Sequence, residues 1–168
     1  MAHFEIDPDR TQLSVGTRPG LPGLGARVSG ARGSFEATRT AAGSLDLGAP
    51  ITGELTAIVD GIETGNQLVA DAVARWSGAS SGLTVQVTIS AVRPVGDDDS
   101  GRVEVVLHAV AGERAADLVG SGRVRALEGD AIEAAGVTLC DPRAFGISLP
   151  PLLNLIVHVR WRLTLVAS

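Results

Sequence analysis

The stretch Val157-His-Val-Arg-Trp-Arg-Leu-Thr-Leu165 alternates apolar and polar side chains over its whole length. Successive side chains of a β-strand point to opposite faces of the sheet, so this pattern predicts a strand with one apolar face and one solvated face. Val157, Val159, Trp161 and Leu163 share the apolar face. The first expectation is therefore a sheet that packs against a core on one side only.

The same period of two recurs upstream. Leu83 to Val92 and Arg102 to Ala111 alternate in this way, and the Gly- and Asp-rich stretch from Gly96 to Gly101 between them suits a hairpin loop. About eight strands joined by short connections are typical of a sandwich or an antiparallel barrel. The other stretches that we interpret as strands are Gln12 to Val15, Val28 to Thr38, Ser44 to Leu47, Ile51 to Asp60, Asp117 to Leu127 and Ala131 to Leu139.

One segment has a helical period instead. Between Asn66 and Trp76 the apolar residues recur at a spacing of three and four, and Asp71 and Arg75 form a favourable i,i+4 pair. We expect a short helix here that covers one end of a barrel. The segment from Ser148 to Asn154 suits a second, single-turn helix, because proline is tolerated in a first turn.

Length and charge limit the possible functions. A chain of 168 residues with 45% hydrophobic residues is expected to form one domain, residues 1–168, with a substantial core or an enclosed cavity. All 14 basic residues are arginines, scattered singly, and the net charge is −5. Nucleic-acid binding normally needs a basic patch, so we expect no nucleic-acid partner.

The N-terminal segment bears on location. Residues Met1 to Asp7 include acidic residues where a signal peptide needs a basic segment followed by an apolar one, so we expect a cytoplasmic protein. No apolar run approaches the roughly 18 to 20 residues of a membrane span, so no stable membrane insertion is expected. Both a monomer and a homodimer are compatible with the sequence.

Two motifs have a chemical interpretation and an ordinary one. Gly78-Ala-Ser-Ser-Gly82 matches the nucleophile elbow of hydrolases, but that elbow follows a strand and opens a helix, whereas this one follows the predicted helix and opens a strand. The Asp97-Asp-Asp99 run lacks the spaced ligands of a calcium loop, which favours a solvated turn.

The histidines and the cysteine are isolated in the sequence. His108 and His158 fall on the polar faces of their strands, and a metal site built from both requires those strands to be neighbours. Cys140 is the only cysteine, so an intrachain disulfide and a zinc cage of cysteines are excluded. The thiol is interpreted as a small buried hydrophobe, with a reactive thiol as the alternative.

Four stretches, taken in order, resemble the YceI-like family of lipocalin-like, polyisoprenoid-binding proteins. They begin with an aromatic-x-Ile-Asp-Pro start and end with a signature similar to Asp-Arg-x-Asp-Phe-Gly-Ile. The stretches are Phe4-Glu-Ile-Asp-Pro-Asp-Arg-Thr-Gln-Leu-Ser-Val15, Val28-Ser-Gly-Ala-Arg-Gly-Ser-Phe35, Ile62-Glu-Thr-Gly-Asn66 with Asp71 after it, and Cys140-Asp-Pro-Arg-Ala-Phe-Gly-Ile147. The chain departs from the family pattern at Arg10-Thr-Gln-Leu-Ser14, where a His-Ser pair is usual, and in the shortened segment from Ser77 to Leu83.

The resemblance implies an all-β, eight-stranded antiparallel barrel whose apolar lumen holds an isoprenoid chain or quinone. It implies no other cofactor. Asp71 and Arg143 match family positions and are expected either to contact a polar head group or to form a structural salt bridge at the barrel mouth. Periodicity alone leaves a packed core of the same residues equally open. The predicted lining residues are Phe35, Val85, Val87, Ile89, Val103, Val105, Leu107, Phe145, Val157, Val159, Trp161 and Leu163.

Three functions follow as hypotheses. The first is carriage or sequestration of an isoprenoid-type lipid. The second is a barrel enzyme, such as a cyclase or isomerase, that takes an acid or base from Asp71, His108 or His158. The third is an interaction module with a filled core and no ligand.

Overall fold

The computed structural model describes residues 1–17, 24–65, 67–77, 82–97, 100–149 and 155–168. Within these ranges nine strands and one α-helix form a single antiparallel sheet with a cap. The helix α1 (Gln67–Ser77) lies between the fourth and fifth strands. The strands are β1 (Ala2–Ile6), β2 (Gln12–Thr17), β3 (Leu24–Ala37), β4 (Thr52–Thr64), β5 (Leu83–Pro94), β6 (Arg102–Ala111), β7 (Arg114–Ala126), β8 (Ala131–Cys140) and β9 (Val157–Ala167).

The sheet closes into a barrel because β1 and β2 occupy one position in its wall. Both strands pair with β3 on one side and with β9 on the other, β1 near one end of the barrel and β2 near the other. From β3 to β9 each strand pairs with the next in antiparallel sense. The nine strands therefore fill eight positions, and the predicted eight-stranded antiparallel barrel is confirmed.

The break between β1 and β2 has a local cause. Pro8 opens a short 3₁₀ turn, Pro8–Arg10, and proline has no N–H to donate to a neighbouring strand. The Asp7 carboxylate accepts a hydrogen bond from the Asp9 N–H at 3.1 Å and caps the turn. Buried Thr164 of β9 fastens the turn to the wall, because its hydroxyl donates to the Arg10 carbonyl at 2.9 Å. The strand predicted at Gln12 to Val15 lies within β2, whereas β1 was not predicted as a separate strand.

Two other predicted elements differ from the structure. Ser44 to Leu47 was predicted as a strand, but Leu45 makes only an isolated bridge with Arg39. Gly43, at φ +83°, turns the chain sharply before it, so no continuous ladder forms. Ser148 and Leu149 are not helical, and residues 150–154 of the predicted second helix lie outside the described residues.

Candidate ligand-binding lumen

The inward side chains of the strands leave an apolar cavity of about 320 Å³ inside the barrel. Small-molecule pockets span ~300–1,000 Å³, so the cavity lies at the lower end of that range. All twelve side chains predicted to line a lumen lie on its wall, and their binding role stays a prediction. They are Phe35, Val85, Val87, Ile89, Val103, Val105, Leu107, Phe145, Val157, Val159, Trp161 and Leu163.

One end of the cavity, which we call the floor, is closed by tightly packed side chains. Phe4 and Ile132 are completely buried there, and Phe35 and Leu165 are nearly so. The chain between β3 and β4 folds over this end and packs Leu45 against the same cluster. These packed side chains close the cavity at the floor.

Arg39 holds that covering segment in place. Its guanidinium lies 5.0 Å from the centre of the Phe4 ring, a cation–π distance. Its Nη1 lies 3.3 Å from Asp130 Oδ1, and its Nη2 donates to the Asp130 carbonyl. Asp130 is in the turn between β7 and β8, at φ +62°. The arginine thus joins the segment after β3 to the opposite side of the floor.

The other end, the helix end, is covered by α1 and by the segment after β8. Val69 and Val73 of the helix face the cavity and pack with Leu149 and Leu155. A second 3₁₀ turn, Pro142–Phe145, adds Phe145 to the lining. The expected cover at one end of the barrel is therefore present. The chain between β8 and β9 contributes more of its lining residues than α1 does.

Trp161 of β9 lies along the wall because glycines face it on the next two strands in the same direction, Gly136 on β8 and Gly122 on β7. A Cβ atom on Gly122 would come within 2.6 Å of the indole, and one on Gly136 within 2.5 Å. The indole Nε1 donates to the Thr138 hydroxyl at 3.1 Å, which satisfies the single polar atom of the ring. Since the ring rests over the glycines, the largest inward side chain leaves the lumen open.

The described lining contains no histidine, carboxylate or arginine side chain. Its polar side chains are Thr138, whose hydroxyl is engaged by Trp161, and Cys140. Burial raises the pKa of the Cys140 thiol to about 11, and the neighbouring charge of Asp141 acts in the same direction. At neutral pH the thiol is therefore protonated and a poor nucleophile, as expected for a buried hydrophobe.

Asp71 and Arg143 both lie at the helix end and outside the cavity lining. Asp71 is exposed on α1 and accepts a hydrogen bond from Gln67 Nε2 at 2.8 Å. Arg143 Nη1 lies 3.8 Å from Asp141 Oδ1, and the same carboxylate caps the second 3₁₀ turn by accepting from the Arg143 N–H at 2.9 Å. This geometry agrees with the expected position of both residues near the barrel mouth. Their contact with a head group stays a prediction.

The histidines of the enzyme hypothesis lie away from the lumen and from each other. His108 is on the outer face of β6, with Nδ1 2.8 Å from Asp117 Oδ1. His158 is on β9, and β7 and β8 separate the two strands. The condition for a shared metal site is therefore not met. Ser80 of the elbow-like motif and Asp98 and Asp99 of the acidic run lie outside the described residues.

Phe35 is the only lining residue from the first half of the chain that was predicted from the sequence. Val15 and Val28 contribute from β2 and β3, and Leu55, Ala57 and Val59 contribute from β4. The signal was present in β4, where these three residues alternate with polar or exposed ones. Phe4 was quoted only as part of a motif, although it is an inward residue of β1.

The fold and the lumen define the class: an eight-stranded lipocalin-like barrel with an apolar interior. No family model matches the sequence, and no curated protein matches it. Two solved structures share the fold over nearly their whole length. Burkholderia cenocepacia BcnA has a TM-score of 0.60 at 15% identity, covering 95% of this chain and 98% of that one. A Saccharophagus degradans polyisoprenoid binding domain implicated in plant cell wall breakdown has a TM-score of 0.58 at 13% identity, covering 100% of both chains.

The predicted eight-stranded lipocalin-like barrel fold is thus confirmed by structures that are only 15% and 13% identical to this chain in sequence. Within the described residues no helix is both long and apolar enough to cross a bilayer.

Proposed function

We propose that this protein binds one isoprenoid-type lipid, a polyprenyl chain or an isoprenoid quinone, and carries or sequesters it. The observation that carries the proposal is the open lumen, whose described lining offers hydrocarbon and almost nothing else. A chain of methyl and methylene groups gives up no hydrogen bonds on entering, and each buried CH₂ contributes about 0.8 kcal/mol. Ordering the flexible chain opposes part of this gain.

The same lining favours one orientation. A phosphate, carboxylate or quinone oxygen inside the lumen would be desolvated without a partner, at a cost of several kcal/mol. The floor is closed by Phe4 and its neighbours, so the head group belongs at the helix end. Arg143 and Asp71 lie at that end and are the residues that we expect to meet a polar head.

The structural relatives support the ligand class but do not identify it. The Saccharophagus degradans domain carries polyisoprenoid binding in its name. A wall of valine, leucine and isoleucine accommodates a branched hydrocarbon chain as well as a straight one. The wall therefore does not discriminate between an isoprenoid and a fatty acid. The proposal of an isoprenoid over a fatty acid rests on that relative and on the family resemblance.

The direct test is extraction of the protein from its own organism with organic solvent, followed by mass spectrometry of the extract. We expect one hydrocarbon chain per protein molecule. In parallel, geranylgeraniol added to the stripped protein should raise the melting temperature, because a ligand at a hundred times its dissociation constant stabilises by ~2.7 kcal/mol.

A matched pair of variants on β5 shows whether binding occurs in the lumen. Val87→Trp places a large ring inside the cavity, whereas Gln86→Trp places the same ring on the outer, exposed face of the neighbouring position. Val87→Trp should lose the geranylgeraniol-dependent stabilisation and Gln86→Trp should keep it. Absence of a recovered lipid, together with an unchanged melting temperature of the wild-type protein, would refute the proposal.

We propose the cytoplasm as the compartment of this protein. Fractionation of the host cells followed by immunoblotting tests it. Recovery of the protein with periplasmic or secreted markers would contradict that location and leave the lumen proposal unaffected.

A further inference from the structure

The alternation of β7 places one charged residue, Arg114, on the lumen side of the barrel wall. Ala116 and Leu118 of this strand face inward and pack against the buried cluster around Phe145. Arg114 is two positions before Ala116 and directly opposite Ala111, which lines the cavity. The other charged residues of the nine described strands alternate to the outer face. Arg114 therefore lies at the rim of the lumen, at the helix end.

The side chain of Arg114 packs against the cover of the lumen. A Cβ atom on Gly146 would lie 3.0 Å from Arg114 Nε and 3.4 Å from its Cζ. Gly146 ends the second 3₁₀ turn at φ +83°, a conformation that glycine adopts without strain. The same turn contributes Phe145 to the lining. The absent side chain at Gly146 thus leaves room for the arginine beside the turn.

The charge of Arg114 has no partner in the part of the chain that the structure describes: its guanidinium makes no hydrogen bond and no ion pair there. Asp141, in the nearby turn, lies 3.8 Å from the Arg143 guanidinium and accepts from the Arg143 N–H. Glu113 precedes Arg114 in the chain and is exposed, but it forms no ion pair with it. Arginine has five N–H donors and stays protonated, so Arg114 is a permanent cation with its donors available.

We propose that Arg114 binds an anionic head group, a phosphate or a carboxylate, on the lipid whose chain occupies the lumen. The inference rests on the proposed function, because it needs a hydrocarbon chain that ends at the helix end. A guanidinium binds either anion through two parallel N–H···O bonds, and such bonds are less screened beside an apolar lumen than in bulk water. A prenyl alcohol or a quinone carries no charge. The ligand class therefore narrows to prenyl phosphates and prenyl carboxylates.

Arg143 is the second guanidinium at this end, and it differs from Arg114 in having a carboxylate beside it. Asp141 offsets part of the charge of Arg143, so we assign the principal contact to Arg114. The helix end as a whole is not basic, because Asp71 and Glu113 are exposed there too. Selection of an anion must therefore come from direct contact with Arg114 and not from a long-range field.

The test compares three ligands that share one hydrocarbon chain: geranylgeranyl phosphate, geranylgeranoic acid and geranylgeraniol. Calorimetric titrations of the full protein, below the concentrations at which these compounds form micelles, give their affinities. The wild-type protein should bind at least one of the two anions about tenfold more tightly than the alcohol, the usual gain from a hydrogen bond to a charged group. Added salt should reduce this preference, because ions screen the contact.

Arg114→Gln removes the charge and should reduce the preference for the anion to less than about threefold. Arg114→Lys keeps a charge without the planar fork and should retain part of the preference. Arg123→Gln is the matched control, because Arg123 is an exposed arginine on the outer face of the same strand and also has no partner in the described part of the chain. Its preference should equal that of the wild-type protein. Melting temperatures without ligand verify that each variant folds.

The inference is overturned if the wild-type protein binds neither anion more tightly than geranylgeraniol, or if Arg114→Gln keeps the preference. Loss of the preference in Arg143→Gln but not in Arg114→Gln would assign the head group to Arg143 and would overturn it as well. Failure of all three ligands to bind the wild-type protein would contradict the proposed function, and the head-group inference with it. Binding of geranylgeraniol thus separates failure of this inference from failure of the proposed function.

Discussion

At the scale of single residues, two glycines determine whether the lumen exists. Gly122 and Gly136 leave room for the indole of Trp161 to lie against the wall. A side chain at either position would compete with that ring for the same space. The ring would then have to move into the cavity, or the strands would have to separate.

Gly136→Ala should therefore destabilise the protein by roughly 1–3 kcal/mol, the usual cost of overpacking. The added Cβ would lie 2.3 Å from the Ser121 carbonyl oxygen and 2.5 Å from the indole. Gly25→Ala is the matched control, because its Cβ would meet nothing closer than 4.0 Å. Urea denaturation measures both. Equal stabilities of the two variants would contradict the close contact at Gly136.

Cys140 gives a prediction about pH. Because burial raises the pKa of its thiol to about 11 from 9.0, the unfolded chain loses this proton at a lower pH than the folded protein does. The stability should fall as the pH rises from about 9 to about 11. Cys140→Ala removes the group and should flatten the stability curve over that window. Denaturant midpoints that fall equally in both proteins would assign the loss to other groups.

At the scale of elements, α1 lies over the barrel and forms no part of its hydrogen-bonded wall. It packs through Val69, Ala72 and Val73, whereas each barrel strand is hydrogen-bonded along both edges. Regions with few buried apolar contacts open at a lower free energy than core strands. The helix is consequently the element that we expect to open for a ligand.

Hydrogen exchange followed by mass spectrometry tests this expectation. Peptides from residues 67–77 should exchange faster than those from residues 131–140 in the protein without ligand. Added geranylgeraniol should slow exchange in α1, because Val69 and Val73 line the cavity that it would fill. Exchange as slow in α1 as in β8 would point to another entrance.

The elements also show how far the sequence predicts this structure. Strands β5, β6 and β9 were predictable because each has a clean alternation, which placed ten of the twelve predicted lining residues on one face. Phe35 and Phe145 were predicted from the motifs that carry the family resemblance. Ser44 to Leu47 has a similar local pattern but folds over the floor, where contacts with distant residues decide its path. Strand β1 was missed because Phe4 and Ile6 were considered only as part of a motif and not for their alternation.

The open lumen was expected from the family resemblance but was not predictable from periodicity, because it depends on residues far apart in the chain. Trp161 is opposite Gly136 in the ladder, and Gly136 is opposite Gly122, but their pairing is visible only once the register is known. Arg39 likewise reaches Asp130 across 91 positions of sequence. Periodicity assigns a side chain to a face, whereas the volume left between opposite walls is a property of the closed barrel.

At the scale of the whole molecule, a lumen closed at the floor predicts a limit on ligand length. Each CH₂ contributes about 0.8 kcal/mol, which is roughly a fourfold gain in affinity, until the chain reaches the floor. Affinities for prenyl alcohols of increasing length, measured by calorimetry, should rise and then level off. Phe35→Ala enlarges the cavity at the floor, so in this variant the affinity should level off only at a longer prenyl chain. An unlimited rise in the wild-type protein would contradict the closed end.

The shared wall position of β1 and β2 also determines the order in which the barrel can be built. Its neighbours are β3 near the start of the chain and β9, whose pairing with β1 reaches Ala167. Until β9 has left the ribosome, the first two strands have a partner on one side only and the sheet remains an open, curved ribbon. The lumen is thus enclosed only once β9 has paired with both strands, so a ligand of the kind proposed above would be retained only after that step.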